Sequence, residues 1–359
     1  MRPATEAVGA TDGWSVIAGA AAGIDPEAIR SWAGRLADLA SPALAAHLLA
    51  PLDRHASKPL VPREREQKAR LYNRLVRHSQ LHWLGALGAA GIRPVCLKGF
   101  AAAHRLYADA VARAIGDLDL LVHREDVPRA VRLLAAEGFR IERPRISPFG
   151  FISEASFLPL VSPDGTCVVD IHLEPDCYPA HRGLDAEALR ARAVAFEAGG
   201  TTLLAPSDEH HLLLLATNAA KDKFGPEALR KVIDGLVLLR RRPLLDWDEV
   251  ARIARKGGFA RPLGAFLSLL SALGAPAEAI PPALVRRPGW PARGELMRIV
   301  AEHRALFPRA AGLWGKLRRE ALIGAEPRTL LHNNLKRLRG LVTTAGGVPP
   351  GWPSSARRP

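Results

Sequence analysis

The chain has 359 residues, of which 48% are hydrophobic and 24% are charged, which suits a soluble globular protein of about two domains. No run approaches the roughly 18 apolar residues of a membrane span, the first residues lack the apolar region of a secretory signal, and three cysteines without a C-x-x-C pair favour a reducing compartment, so we expect a cytoplasmic protein without a transmembrane segment. The net charge of +14 is compatible with a polyanionic partner such as nucleic acid, a nucleoside triphosphate or an acidic membrane, and equally with solvated arginine-rich faces.

Residues 1–90 predict a helical N-terminal region. Its strongest element is a long helix from Arg63 to Ala90, which Gly91 ends. Leucines of this helix recur on one stripe and its neighbours, as expected of a face that packs on a core: Leu71, Leu75, Leu81, Leu84 and Leu87.

Residues 91–204 predict a mixed sheet with helices. The predicted order is strand RPVCL, a helix from Gly99 to about Ala108, strand LDLLV, helix REDVPRAVRLLAAEG, and three strands that begin FRIE, ASFLPLV and CVVDIHL. The last two are joined by a turn at Pro163-Asp164-Gly165, which indicates an antiparallel hairpin. The fold class is therefore α+β, with a mixed-sheet core, N-terminal helices and a C-terminal helical domain.

Residues 205–340 predict the C-terminal helical domain. Ser207 caps the first helix, with Lys221 and Lys223 in its last turn, and Asp246 begins another helix. The stretch from Trp314 to Gly340 is basic and partly amphipathic, so it could bind RNA or an anionic membrane, or form a solvated helical face. The segment 341–359 is rich in Pro, Gly and Ser and predicts a disordered tail.

Asp117 and Asp119 are two residues apart on a predicted strand. Because side chains alternate across a strand, both carboxylates project from one face, while Leu118, Leu120 and Val122 project from the other. Two adjacent like charges are unfavourable unless they stay solvated or a cation lies between them. The pair therefore predicts either a Mg²⁺ site or a solvated strand face.

Asp170 lies in the middle of the apolar strand CVVDIHLE, on the same face as His172. If this strand neighbours the one with the D-x-D pair, Asp170 completes a cluster of three carboxylates, which could hold two Mg²⁺ ions, and it would be the natural base for an acceptor hydroxyl. The alternative for Asp170 is a salt bridge to an arginine. His172 is either an accessory site residue or an ordinary structural histidine.

Lys98 and Gly99 lie between the first strand and its helix. A glycine there lets backbone N–H groups approach a phosphate at a helix N-terminus, and Lys98 adds a cation. Arg113, just before the D-x-D strand, is a second candidate for phosphate contact. The alternative is an ordinary strand-to-helix turn.

These motifs together resemble the nucleotidyltransferase superfamily, which has a DNA polymerase β-like fold. The bacterial "nucleotidyltransferase family protein" group has roughly the pattern LKG…Y…R…DxDLLV…VDxHW, and here LKGFAAAHRLY, ARAIGDLDLLV and VVDIHLE match it over about Arg93 to Glu174. A late L-D-W, Leu245 to Trp247, is also typical. The resemblance implies metal binding by Asp117, Asp119 and Asp170, and contact of Gly99 with a nucleoside triphosphate.

Two positions depart from that pattern. The usual loop of the superfamily is Gly-Ser or Gly-Gly, whereas Lys98-Gly99-Phe100 offers no hydroxyl for phosphate, so that Lys98 would have to substitute. Leu173 replaces the aromatic residue of VDxHW, which affects packing rather than chemistry.

The resemblance implies an enzyme that transfers a nucleoside monophosphate, AMP by preference, from a Mg²⁺-bound triphosphate to a hydroxyl-bearing acceptor. The acceptor could be a small molecule, a peptide or RNA. One alternative is a non-catalytic protein that binds nucleic acid or a protein partner through its basic surface, on a degenerate form of the same fold. Another is an accessory factor in peptide or natural-product biosynthesis.

Overall fold

The structure is a computed structural model that describes residues 63–113, 116–142, 155–242, 244–285, 289–304 and 311–338. The expectations for residues 1–62 and for the tail 341–359 lie outside this range. The described part is α+β, which confirms the predicted class. Within it, no helix combines the length and the apolar character needed to cross a bilayer.

The described residues contain eleven α-helices and seven strands. The helices are α1 Arg63–Ala89, α2 Lys98–Leu106, α3 Val127–Ala136, α4 Ala186–Ala191, α5 Asp208–Lys221, α6 Leu229–Arg241, α7 Trp247–Lys256, α8 Ala260–Ala272, α9 Ala292–Arg304, α10 Leu313–Arg319 and α11 Pro327–Leu338. The strands are β1 Val95–Cys96, β2 Leu118–Leu121, β3 Arg140–Ile141, β4 Leu160–Val161, β5 Val168–His172, β6 Val194–Ala198 and β7 Thr201–Ala205.

The seven strands form one mixed sheet in the order β3-β4-β5-β2-β1-β7-β6. Its central pair, β2 and β5, is parallel, and β1 pairs antiparallel with β2 and parallel with β7. The predicted hairpin is present as β4 and β5, with Gly165 at φ 71° in its turn. The sequence reasoning missed a second hairpin, β6 and β7, whose Gly199-Gly200 turn has positive φ at both residues. Two glycines between strand-forming runs are the usual signal for such a turn.

Two hydrophobic clusters cover the two faces of the sheet. Leu118 and Leu120 pack in one of them with α1 and α3. The opposite face of β2 lies towards the C-terminal helices, since Leu121 belongs to the cluster that α5, α6 and α8 build. Alternation along β2 therefore directs Asp119 towards those helices, as predicted.

Helix α1 packs by two different means along its length. Leu84 and Leu87 are buried as predicted, but Leu71 and Leu75 are 58% and 53% exposed, so the predicted apolar stripe is wrong for the N-terminal half. There, buried polar side chains donate hydrogen bonds to backbone carbonyls of residues 110–116 instead: Asn73, Arg77 and Gln80. These bonds fix the segment that leads into β2.

The C-terminal helices surround the long α5. Ser207 caps α5 and Asp246 caps α7, as expected from their sequences. Helix α5 ends at Lys221, two residues before Lys223, which was predicted to lie in its last turn, because Lys223 and Phe224 adopt positive φ. The basic stretch after Trp314 forms α10, a π-helical turn at Glu320–Gly324 and α11. Arg319, Glu320 and Ile323 are buried there, so part of this stretch packs against the other helices.

Candidate functional site

The candidate site forms where β2 and β5 run side by side. Their parallel register pairs Asp119 with Asp170 and Leu121 with His172. One ligand atom from each of Asp119, Asp170 and His172 lies within 4.8 Å of the other two. The two strands are therefore neighbours in the sheet, which is the condition on which the predicted cluster depended.

Asp119 is the buried centre of this cluster, with 2% of its surface exposed. Its Oδ1 atom accepts a hydrogen bond from Lys98 Nζ and lies 2.9 Å from His172 Nε2. Burial alone would raise the pKa of Asp119, but the Lys98 ammonium and the histidine hold that pKa well below its usual range. Asp119 is therefore ionised, and it already has two donors on one oxygen.

His172 is a neutral hydrogen-bond donor to Asp119. Burial and the charge of Lys98 lower the pKa of His172, and an ionised carboxylate can only accept, so the proton lies on Nε2. The Nδ1 atom is buried and has no hydrogen-bond partner among the described residues. The ring thus orients Asp119 and retains an unused lone pair.

Asp170 has a buried oxygen, Oδ1, without a hydrogen-bond partner in the described part of the chain. Burial, and after it the charges of Asp119 and Asp117, raises the pKa of Asp170 to about 7. No arginine bonds this oxygen, so the salt bridge considered as the alternative is absent at Oδ1. An orphaned acceptor of this kind is a position that a cation could satisfy.

Asp117 lies just before β2 and is exposed. It is not one of the three residues whose ligand atoms lie within 4.8 Å. The charge of Asp119 nevertheless raises the pKa of Asp117, so the two carboxylates repel each other as expected of the D-x-D pair. Its role as a metal ligand stays a prediction.

Gly99 lies directly under the guanidinium of Arg113. A Cβ atom at this position would be 2.7 Å from Arg113 Nη1, and the same Nη1 donates to the Gly99 carbonyl at 3.0 Å. The absent side chain therefore makes room for an arginine within the protein. Contact of either residue with a phosphate stays a prediction.

Arg113 also belongs to a buried network that joins the sheet to the C-terminal helices. Its Nε and Nη2 atoms donate to the two oxygens of Asp234 on α6, at 2.9 Å and 2.5 Å. Tyr107 donates to Asp234 Oδ1 at 2.7 Å. No local pattern predicts that residues so far apart in the chain would pair.

A cavity of 570 Å³ opens between the carboxylate cluster and the C-terminal helices. Lys98, Asp170 and His172 line the sheet side. The helical side carries polar, cationic and acidic residues: Asn218, Lys221, Asp222, Lys223, Glu227, Lys316, Glu320, Asn333 and Arg337. The cavity is thus large enough for a small molecule, and its several cations could contact phosphate groups.

Lys221 and Lys223 are residues of this wall that the sequence analysis assigned only to a helix terminus. Lys221 lies at the end of α5. Its ammonium pairs with Asp176, which is 1% exposed, and its own side chain is 44% exposed. Its charge is a minor cause of the lowered pKa of His172, after burial and Lys98, and it slightly opposes the rise in the pKa of Lys98. A lysine at a helix C-terminus is common, and only the packing of α5 in the fold places this one beside the cavity.

The chain is similar to one family of known proteins. Residues 32–274, more than half of the chain, match the model of a family described as "Uncharacterised nucleotidyltransferase". No curated protein and no solved structure matches the chain. The family match and the predicted resemblance agree.

Proposed function

The chain belongs to the family of uncharacterised nucleotidyltransferases, and from that premise we propose that it transfers a nucleoside monophosphate, AMP by preference, from a Mg²⁺-bound nucleoside triphosphate to a hydroxyl-bearing acceptor. The observation that carries this proposal is the convergence of Asp119, Asp170 and His172 beside a cavity lined with lysines. The acceptor is a small molecule, a peptide or RNA.

The residues present fit a divalent cation. Asp170 Oδ1 and His172 Nδ1 are buried and have no hydrogen-bond partner among the described residues. The exposed Asp117 lies close enough to Asp119 that the charge of Asp119 raises its pKa. Carboxylate oxygens are the ligands that Mg²⁺ and Mn²⁺ prefer, so we assign Asp117, Asp119 and Asp170 to two ions, with His172 as an accessory residue. When bound, such ions supply Lewis acidity to phosphate oxygens and to the acceptor hydroxyl.

Asp170 is the proposed general base. In the reaction, an acceptor oxygen attacks the α-phosphorus, the bond to pyrophosphate breaks, and the acceptor proton passes to a carboxylate oxygen of Asp170. Burial first, and then the charges of Asp119 and Asp117, raise the pKa of this carboxyl to about 7 in the metal-free site, so its environment favours uptake of a proton more than that of an ordinary aspartate does. Its neighbour His172 keeps Asp119 in place by donating from Nε2.

Lys98 and Lys221 are the proposed cationic contacts of the triphosphate. Both line the cavity, one at the strand-to-helix turn and the other on the helical wall. Lys98 thereby takes the place of the hydroxyl that the usual Gly-Ser loop would offer. Gly99 and Arg113 support this turn from below, through the bond between the guanidinium and the glycine carbonyl.

Calorimetric titration with ATP, with and without Mg²⁺, tests the proposal. We expect binding that depends on Mg²⁺ and that weakens by about tenfold or more in Asp119→Asn, since one buried charge at the ligand is lost. Asp248→Asn, the same change at an exposed position of α7, is the matched control and should bind as the wild type does. Equal binding in all proteins and conditions would contradict the proposal and favour the non-catalytic alternative.

The acceptor is identified by a second experiment. Cell extract is incubated with the protein and a nucleoside triphosphate labelled at the α-phosphate, and the labelled product is isolated. We expect label on one class of molecule with the wild type and none with Asp119→Asn.

A further inference from the structure

We propose that Lys98 is a built-in competitor of the divalent cation: its ammonium occupies Asp119 until a triphosphate draws it away, so that metal and nucleotide bind together. This inference rests on the proposed function for the nucleotide, and on the geometry of the cluster alone for the metal. It assigns Lys98 a regulatory position within the site besides its contact with phosphate.

The first observation is that Lys98 binds Oδ1 of Asp119, one of the two oxygens with which this carboxylate could hold a cation. Asp119 Oδ1 already accepts from both Lys98 Nζ and His172 Nε2. Two hydrogen-bond donors on one carboxylate oxygen leave little room for a metal at that atom. A divalent ion at Oδ1 therefore has to displace one of the two, and the aliphatic lysine is the one that can move.

The second observation is where Lys98 can go. Its side chain is 29% exposed whereas that of Asp119 is 3% exposed, and Lys98 itself lines the cavity. Rotation about its side-chain bonds would take the ammonium from the carboxylate into the space proposed for the triphosphate. The buried Asp119 side chain cannot move in this way. When a cation replaces the ammonium at Asp119, it is therefore Lys98 that moves.

The third observation is the backbone of Lys98, which has φ 48°. This is the left-handed region, where glycine is far easier to accommodate than lysine. A residue in such a conformation persists only where the surrounding structure holds it, and the ion pair with Asp119 is one of the contacts that hold Lys98.

Charge then couples the two ligands. A divalent cation that binds without nucleotide would lie close to the displaced ammonium. The repulsion between these two positive charges opposes binding of the cation. A triphosphate offers the Lys98 ammonium new anionic partners, and its negative charge offsets the repulsion between the ammonium and the cation. Because such coupling is reciprocal, the cation should in turn strengthen nucleotide binding.

The experiment measures Mn²⁺ binding without nucleotide, from the electron paramagnetic resonance signal of the free ion. We expect Lys98→Met to bind Mn²⁺ about tenfold or more tightly than the wild type, because a competing charge beside the ligand is gone. Lys98→Arg, which keeps the charge, and Lys256→Met, which removes a charge from an exposed position outside the cavity, should bind as the wild type does. Equal or weaker binding by Lys98→Met would overturn the proposal.

A measurement on the wild type covers the case in which Lys98→Met does not fold. Amine acetylation followed by peptide mass spectrometry reports the accessibility of Lys98. We expect its labelling to rise several-fold when saturating Mn²⁺ is added, while Lys316 labelling stays constant, and unchanged labelling of Lys98 would overturn the displacement. Neither measurement requires nucleotide, so failure of the ATP titration would refute the proposed function and leave the Mn²⁺ result to be judged alone.

Discussion

Replacement of Asp170 by Asn should stabilise the metal-free protein at alkaline pH. The pKa of Asp170 is raised from 3.8 to about 7, chiefly by burial and then by Asp119 and Asp117. An acid with a raised folded-state pKa is favourable in its protonated form, so the native state is penalised as pH rises from the unfolded value through the folded one. Asn resembles the protonated acid and cannot ionise, so Asp170→Asn avoids that penalty.

The size of the effect follows from the shift. The pKa of Asp170 is raised by about three units, and each unit corresponds to 1.36 kcal/mol. The native state is therefore destabilised by at most about 4 kcal/mol above pH 7, and about 1.5 kcal/mol of this destabilisation is already present at pH 5. The gain from Asp170→Asn should therefore grow by up to about 2.5 kcal/mol between pH 5 and pH 8. Because Asp170 is partly exposed and solvent screens it, we expect about half of that growth, roughly 1 kcal/mol.

Urea denaturation in the presence of a chelator measures this directly. The free energy of unfolding is determined for wild type, Asp170→Asn and the exposed control Asp248→Asn, each at pH 5 and pH 8. The difference between Asp170→Asn and the wild type should be larger at pH 8, and the control should show no such growth. A difference that is the same at both pH values, or smaller at pH 8, would refute the reasoning about Asp170.

Three further predictions concern residues around the cluster. Asp234→Leu should lower the free energy of unfolding by about 3–5 kcal/mol because it removes the buried carboxylate that accepts from Arg113 and Tyr107, and adding Arg113→Met should restore part of it in urea denaturation. Lys221→Met should weaken binding of Mg²⁺-ATP by about tenfold in calorimetry, with Lys256→Met, at an exposed position of α7 outside the cavity, as the control; unaltered affinity would exclude Lys221 from phosphate contact. Gly99→Ala should cost about 1–3 kcal/mol of stability, since its Cβ would lie 2.7 Å from Arg113 Nη1; an unchanged unfolding curve would contradict that packing.

The carboxylate strands could be predicted from the sequence because strand alternation is a local property. Asp119 projects away from Leu118 and Leu120, and Asp170 away from Val169 and Ile171, in any strand of that composition. That β2 and β5 lie side by side is a matter of sheet order, which no local pattern specifies. From the sequence we could therefore predict only that the carboxylates would cluster if the two strands were neighbours. In the structure the two strands are neighbours.

Long-range pairs account for what the sequence could not show. Arg113 was assigned to phosphate contact because it precedes the D-x-D pair, yet its closest charged partner is Asp234, 121 positions away. Lys221 pairs with Asp176, and neither position differs locally from an ordinary helix end or loop. Gly199-Gly200 is different, because its hairpin signal was visible in the sequence and was missed.

The Arg113–Asp234 pair has a consequence for how the protein can be divided. The predicted boundary between residues 204 and 205 separates a sheet with a complete set of carboxylates from the helices that follow. A fragment that ends there would carry Arg113 and Tyr107 without the acid that both of them bind. Any chimaera that grafts this sheet onto another helical partner therefore has to supply an acid at the position of Asp234, or dispense with the arginine.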